Sequence, residues 1–316
     1  MEVKNQWKAW LYLAPALIVL IVFTIYPIFN TIFLGFQEGF DQLGVLGGET
    51  YEFGFGNFIK ILDPNDYFGE LFYKALINTT LIVVVTVPCS IILALLVSVA
   101  LNSIKPLQKF LQTIYFLPYI TNTLAIAAVF AIIFQSSSEG VGATQGILNN
   151  LLEMMGMDPI DWLGGTNYWA SMAVVFIYDI WAGLPFKILI ILGALQSVNK
   201  QCYEAAKIDA TPKRRVLTKI TIPLISPTLS YLLITGFIGA FKEYTSVIGL
   251  FSTPSSGNKM GFDNFMITIV GLIYNFIDGD DAGQYGMAAA SAIVLLIIIM
   301  IFTGINNLLS KKRVHY

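Results

Sequence analysis

The chain has 316 residues, of which 56% are hydrophobic and 12% charged, with a mean hydropathy of +0.72. Ordinary soluble domains carry about twice that charged fraction. The composition therefore excludes them and sets the class as an integral membrane protein. The net charge of −2 carries no information as a total; only its distribution does.

Six apolar runs have the roughly 20-residue length of a spanning helix. In chain order they are Trp10–Leu34, Leu76–Leu101, Thr113–Phe134, Ala170–Leu195, Pro227–Leu250 and Gly286–Leu309. Each is continuously apolar rather than alternating with period two, which argues against a β-barrel. The first run has no A-x-A site after it and reads as a retained anchor rather than a signal peptide. Residues 1–9 are then a tail, 10–34 the first span, 35–75 an outer loop, 76–309 the core of the protein and 310–316 a second tail. The outer loop is rich in Gly, Asp and aromatic residues, and reads as a folded cap or a partner-binding surface. Within the second outer segment, Gln135–Trp169, the spacing of Ile147, Leu148, Leu151 and Leu152 predicts a short amphipathic helix at the interface. Trp162 and Trp169 suit an interfacial aromatic belt. The third outer segment, Phe251–Tyr285, reads as irregular. Pro27, Pro88, Pro118 and Pro185 fall within the apolar runs and predict kinks.

Charge sorts by loop. The two tails and the loops after the second and fourth runs hold 13 of the 18 Lys and Arg, and the other loops hold 15 of the 20 acids. The positive-inside rule then places both termini in the cytoplasm, as an even number of spans requires. Two cysteines, Cys89 and Cys202, make no disulfide or metal framework. The single histidine is His315, and no phosphate-binding loop or H-E-x-x-H motif is present. The chain is expected to be no enzyme, with no catalytic residue, no metal and no cofactor of its own.

Two groups of residues carry functional readings. One is the charged island Tyr203–Pro223, which breaks into two short helices. Glu204 sits early in the first, where the macrodipole favours a carboxylate. Ala205 and Ala206 form helix well and let another surface approach closely. Thr211 is expected as the N-cap of the second helix, with Pro212 as its first residue and Pro223 as its end. The other group comprises the ionisable residues at membrane depth, Asp179, Lys187, Lys242 and Glu243, which are costly in lipid. Asp179 and Lys187 are eight apart on one helix face, and Asp179 could pair with Lys242. Alternatively these residues line a polar cavity with Trp181, Phe186 and Tyr244 as aromatic walls and Gly183, Gly236 and Gly239 leaving room. A proton relay through Asp179 and Glu243 in a secondary transporter stays open.

The segment "YEAAKIDATPKRRVLTKITIPLISP" resembles the EAA loop of permease subunits of binding-protein-dependent ABC importers. The matching residues are Glu204, Ala205, Ala206, Asp209 and Pro223; Ala210 departs from the family's glycine. The step Trp181, Gly183, Pro185, Phe186 and the "GALQ" end at Gly193–Gln196 resemble the carbohydrate branch, as do "FLPYITNTLAIAAVFAIIF" and "GQYGMAAASAIVLLIIIMIF". The resemblance covers most of residues 70–316. It implies an all-α fold of six transmembrane helices, termini cytoplasmic, with a coupling loop at 199–223 in which Tyr203, Glu204, Ala205, Ala206, Asp209 and Ala210 engage an ATPase. It further implies a bacterial cytoplasmic-membrane location and a heterodimer with a second permease. The other partners are an ATPase pair that holds ATP and Mg, an extracytoplasmic sugar-binding protein, and membrane lipid; nucleic acid is not among them. The cargo implied is a sugar, of the oligosaccharide class, with the substrate-lining positions in the fourth and fifth helices. A permease for a different solute is the competing expectation.

Overall fold

The computed structural model describes residues 6–40, 51–104, 108–135, 145–251, 260, 264–279, 281 and 283–311. The C-terminal tail, the start of the N-terminal tail and the stretches 41–50 and 252–259 of the outer loops lie outside them. Among the described residues the protein is helical, and its only extended pairing is an isolated bridge between Gln37 and Phe53. Among the described residues four helices are long and apolar enough to cross a membrane, or up to six if each of two bent pairs is one span. The chain divides into two compact units, residues 1–73 with 272–295, and residues 74–271 with 296–316.

In the first unit, α1 (Gln6–Leu20) and α2 (Tyr26–Gly35) are joined by a π turn, Ile21–Ile25. The turn ends where Tyr26 N–H bonds Ile21 O, just before Pro27, which has no N–H to give. From Trp10 to Phe33 this rod exposes nearly all of its large apolar side chains, Phe23 at 74%. Such a surface is ruinous in water and neutral in lipid. The outer loop then folds on itself. Helix α3 (Gly56–Leu62) sends Asn57 Nδ2 to Gly35 O at 3.1 Å and Gln37 O at 2.8 Å, while Phe36 packs on Phe53, Phe55 and Phe58. Helix α4 (Tyr67–Ser103) begins nine residues before the apolar run does, because Asp66 Oδ1 caps Phe68 N–H and Glu70 sits in its first turn. Pro88 lies within α4 without ending it.

The second unit carries the main core. Val87, Ile91 and Ala94 of α4 pack with Ile188, Ile191 and Leu195 of α8 (Tyr168–Ser197) and with Leu232 of α12 (Ser226–Phe241). The third apolar run is broken. Helix α5 (Gln108–Phe116) passes through a 3-10 turn at Pro118, Thr121 is extended, and Asn122 Oδ1 caps α6 (Thr123–Ile133). The result is a bend of 100° between Gln112–Ile120 and Thr123–Ile133. The amphipathic α7 forms over Ile147–Met154, held by Trp162 Nε1, which donates to Asn149 Oδ1 at 2.9 Å. Trp162 is therefore half-buried and structural, whereas Trp169 is exposed.

The fifth apolar run stops at Phe241 rather than Leu250. Glu243 Oε1 accepts from Ser246 N at 2.9 Å and Ser246 Oγ at 2.7 Å, starting α13 (Thr245–Phe251) as a separate helix. Helix α14 (Ile269–Asp278) lies in the outer segment read from sequence as irregular, and α15 (Tyr285–Lys311) closes the described chain.

The segment leading into α14 is held by α4. Buried Asn78 donates through Nδ2 to Phe265 O at 3.1 Å and Ile267 O at 2.9 Å, and its Oδ1 accepts from Tyr168 Oη at 2.7 Å. Asn78→Ala orphans all three partners. It is expected to cost about 2–3 kcal/mol, read as a lowered thermal midpoint of the purified protein.

Candidate functional site

Two features of the second unit stand out, a polar cavity among helices and a short helix that projects from it. The cavity, of about 350 Å³, is lined by Asp179, Gly183 and Phe186 of α8, Gly236 and Gly239 of α12, and Glu243 beyond its end. These six, and Lys187 of α8, which also lines it, were picked out by sequence. Trp181, Lys242 and Tyr244 were too, but they do not line it. Trp181 instead packs on Phe130 at 5.2 Å, and Lys242 is exposed. The end of α12 explains the last two: the chain leaves the helix at Lys242, so Glu243 alone of the three points back into the cavity.

Charge is distributed unevenly within the site. Lys187 Nζ donates to Ser90 Oγ of α4 at 2.8 Å, and Gly183 leaves the space, since a Cβ there would sit 2.7 Å from that amine. Glu243 is committed to capping α13, where a carboxylate also meets the positive end of the helix. Asp179 has one oxygen, Oδ2, buried without a hydrogen-bond partner among the described residues. No ion pair joins Asp179 to Lys242 among the described residues, against the pairing considered from sequence.

Sequence reasoning missed much of the wall. Tyr119 stacks on Phe186, with ring centroids 5.7 Å apart and planes 19° apart, so the aromatic face is a pair rather than a single ring. Tyr119 reaches the cavity because Pro118 turns the chain there. Tyr178, with its hydroxyl on Thr123 O at 3.0 Å, and Thr86 and Ser246 complete the polar side. The signal for Tyr119 was its place beside a proline inside an apolar run. Thr86 and Ser246 carried none.

The projecting helix is α9 (Lys200–Ile208). Asn199 Oδ1 caps it by accepting from Gln201 N at 2.9 Å. Glu204, Ala205 and Asp209 face outward, and Ile208 is 86% exposed. Ala206 alone of the pair of alanines turns inward and is buried, and Tyr203 is half-buried with its hydroxyl 3.3 Å from Thr221 Oγ1. The small inward face of α9 thus serves its own chain, and the outward face is Glu204, Ala205 and Ile208.

The helix ends in a defined turn. Thr211 N–H bonds Ala206 O at 2.9 Å and Ala210 N–H bonds Lys207 O at 3.1 Å. These are the two bonds of a Schellman motif, whose penultimate residue must be left-handed. Ala210 occupies that place at φ 49°. A Cβ there costs about 1 kcal/mol, so Ala210→Gly is expected to raise stability by about that amount in thermal unfolding, and Ala210→Val to lower it.

After the turn, Pro212 rather than Thr211 caps α10 (Lys213–Val216), without a side-chain bond. Its ψ of 144° keeps it extended, just outside the helix. Nor does Pro223 end the second helix. A π turn, Leu217–Thr221, lets Ile222 N–H reach Leu217 O and carries the chain through Pro223 into α11 (Ile222–Leu224), and the break of 68° comes at Ile225.

Residues 71–315 match the family described as binding-protein-dependent transport system inner membrane component. The arabinooligosaccharides transport system permease protein of Bacillus subtilis is 30% identical over 308 residues, covering 95% of this chain and 88% of that protein. The lactose transport system permease protein of Rhizobium radiobacter is 29% identical over 299 residues, covering 93% and 92%. In fold, the chain matches the crystal structure of a bacterial ABC transporter involved in the import of the acidic polysaccharide alginate. The TM-score is 0.76 at 22% identity, covering 98% of this chain and 97% of that one.

Proposed function

The chain belongs to the family of binding-protein-dependent transport system inner membrane components, and from that premise we propose that it is the transmembrane permease subunit of an ATP-driven saccharide importer. Its relatives include permeases named for arabinooligosaccharides and lactose. A stacked aromatic pair beside hydroxyl and carboxylate groups is the chemistry a sugar needs, one ring face and several hydrogen bonds. The chain spans the membrane six times, each bent pair counting as one span, with both termini cytoplasmic. It forms the pathway with a second permease, and an extracytoplasmic protein delivers the cargo.

The observation that carries the coupling half of this reading is α9. A helix with a nearly fully exposed isoleucine, pinned at both ends by caps, is built to meet something outside its own chain. Docked on a cytoplasmic ATPase, it would transmit closure of the ATPase pair as a rigid-body movement of the spans. Asp179 and Glu243 belong to the cargo cavity rather than to a proton relay, since Glu243 is occupied as a helix cap.

The test is reconstitution of the chain with its partner subunits in vesicles. Saccharide delivered by the binding protein is expected to stimulate ATP hydrolysis and to accumulate inside only when ATP is present. Stimulation by no saccharide, or uptake that follows a proton gradient without ATP, would overturn the proposal.

A further inference from the structure

Beneath α9 lies a second cavity, of about 540 Å³. Its wall is drawn from distant parts of the chain: Val99 near the end of α4, Leu195 near the end of α8, and Ala206, Val216 and Leu217 of the projecting loop. Among the described residues that line it, the charged ones are Lys207 and Lys213, both exposed; Glu204 and Asp209, on the same loop, do not line it. Asn102, Tyr203, Thr211 and Thr221 also line it, Tyr203 and Thr221 with their hydroxyls 3.3 Å apart, so the space is a mainly aliphatic pit with polar side chains and two exposed cations in its wall and no carboxylate. Its volume is that of a ligand site, in the range of about 300–1,000 Å³. A saccharide suits it less than the first cavity, because its wall has neither a stacked aromatic pair nor a carboxylate, and the Tyr203 and Thr221 hydroxyls engage each other. A second basic loop is excluded by the lysines. The complementary ligand has a hydrocarbon body and an anionic head, and where spanning helices end, the bilayer itself supplies that chemistry.

We propose that this cavity binds one anionic phospholipid of the bilayer, its phosphate between Lys207 and Lys213 and an acyl chain against Val99, Leu195 and Leu217. The lipid fills the space between the loop and the ends of α4 and α8, so that a push on α9 reaches the spans instead of collapsing the void. The effect on ATP hydrolysis rests on the coupling role given to α9 above; the binding does not.

The experiment uses the whole complex in nanodiscs of phosphatidylcholine with or without phosphatidylglycerol. Retained lipid is read by native mass spectrometry and coupling by saccharide-stimulated ATP hydrolysis. The wild type is expected to retain phosphatidylglycerol, and K207Q/K213Q to bind it about 30-fold more weakly, the effect of two lysines near an anionic headgroup. R215Q/K219Q removes the same charge from residues that do not line the cavity and is expected to retain the lipid as wild type does. Val99→Phe, which occupies the pit with both lysines intact, is expected to lose it. Equal retention by the two double variants, or retention of phosphatidylcholine as readily as phosphatidylglycerol, would overturn the site. Retention without any change in ATP hydrolysis supports the site and overturns the lipid's part in transmitting the push, whereas the coupling role of α9 itself is read from Ile208→Asp.

Discussion

Ile208→Asp is expected to abolish saccharide-stimulated ATP hydrolysis while leaving the permease folded. Ile208 is the most exposed large apolar side chain of the described residues, at 86%. It touches little of its own chain, so the substitution has no core to disrupt and surface changes of this kind cost within about 0.5 kcal/mol of fold stability. On the proposed docking surface the same change buries an unpaired carboxylate. Central interface residues of this type are worth about 2 kcal/mol or more, and a stranded charge adds to that. A loss of about 100-fold in stimulated hydrolysis, with co-purification of the ATPase weakened, is the expected result. Ala206→Trp should look different. Ala206 is buried inside this chain, so the bulky residue displaces α9 from its own support and lowers yield and thermal stability as well. Wild-type stimulation in the Ile208→Asp protein would remove α9 from the coupling role.

Gly239→Trp is expected to abolish transport by filling the cavity. Gly239 lines that space, and a Cβ built there meets no atom within 4 Å. The backbone is ordinary helix, where glycine is the poorer choice by about 1 kcal/mol relative to alanine. The substitution thus costs little in folding and removes much of a cavity of about 350 Å³. Gly193→Trp is the matched control, since its Cβ is equally unobstructed and it lies outside the cavity. Uptake should fall to background in the first variant and persist in the second, with both proteins giving similar thermal midpoints. Uptake by Gly239→Trp at the wild-type level would mean that cargo travels elsewhere.

Much of the architecture was legible because apolar length is a one-dimensional signal. Helices α4, α8 and α15 follow directly from their runs. What escaped depended on capping groups whose partners cannot be read from spacing. The early start of α4 at Asp66, the stop at Phe241 imposed by Glu243 and the 100° bend at Thr121 are all of this kind. The cavity shows the same division. Asp179, Gly183, Phe186, Gly236 and Gly239 could be named because a charge, an aromatic ring and glycines inside apolar runs are visible one residue at a time, and the family resemblance implies lining positions in those two helices. Tyr119 and Ser246 arrive from separate elements, and only the tertiary fold brings them in. On α9 the sequence identified two adjacent alanines but could not say that they face opposite ways; burial separates Ala206 from Ala205.

The π turn at Leu217–Thr221 has a consequence for phase. Each residue of an α-helix advances the chain by about 100° around the axis. A wide turn with Ile222 N–H on Leu217 O accommodates one residue more than an α turn would. It thereby sets the azimuth at which the projecting loop leaves the helix, without altering the sequence of either end. The direction in which α9 points and the direction in which α12 faces the cavity are consequently set separately, by the five residues of this turn together with the 68° break at Ile225 and the left-handed turn at Ala210.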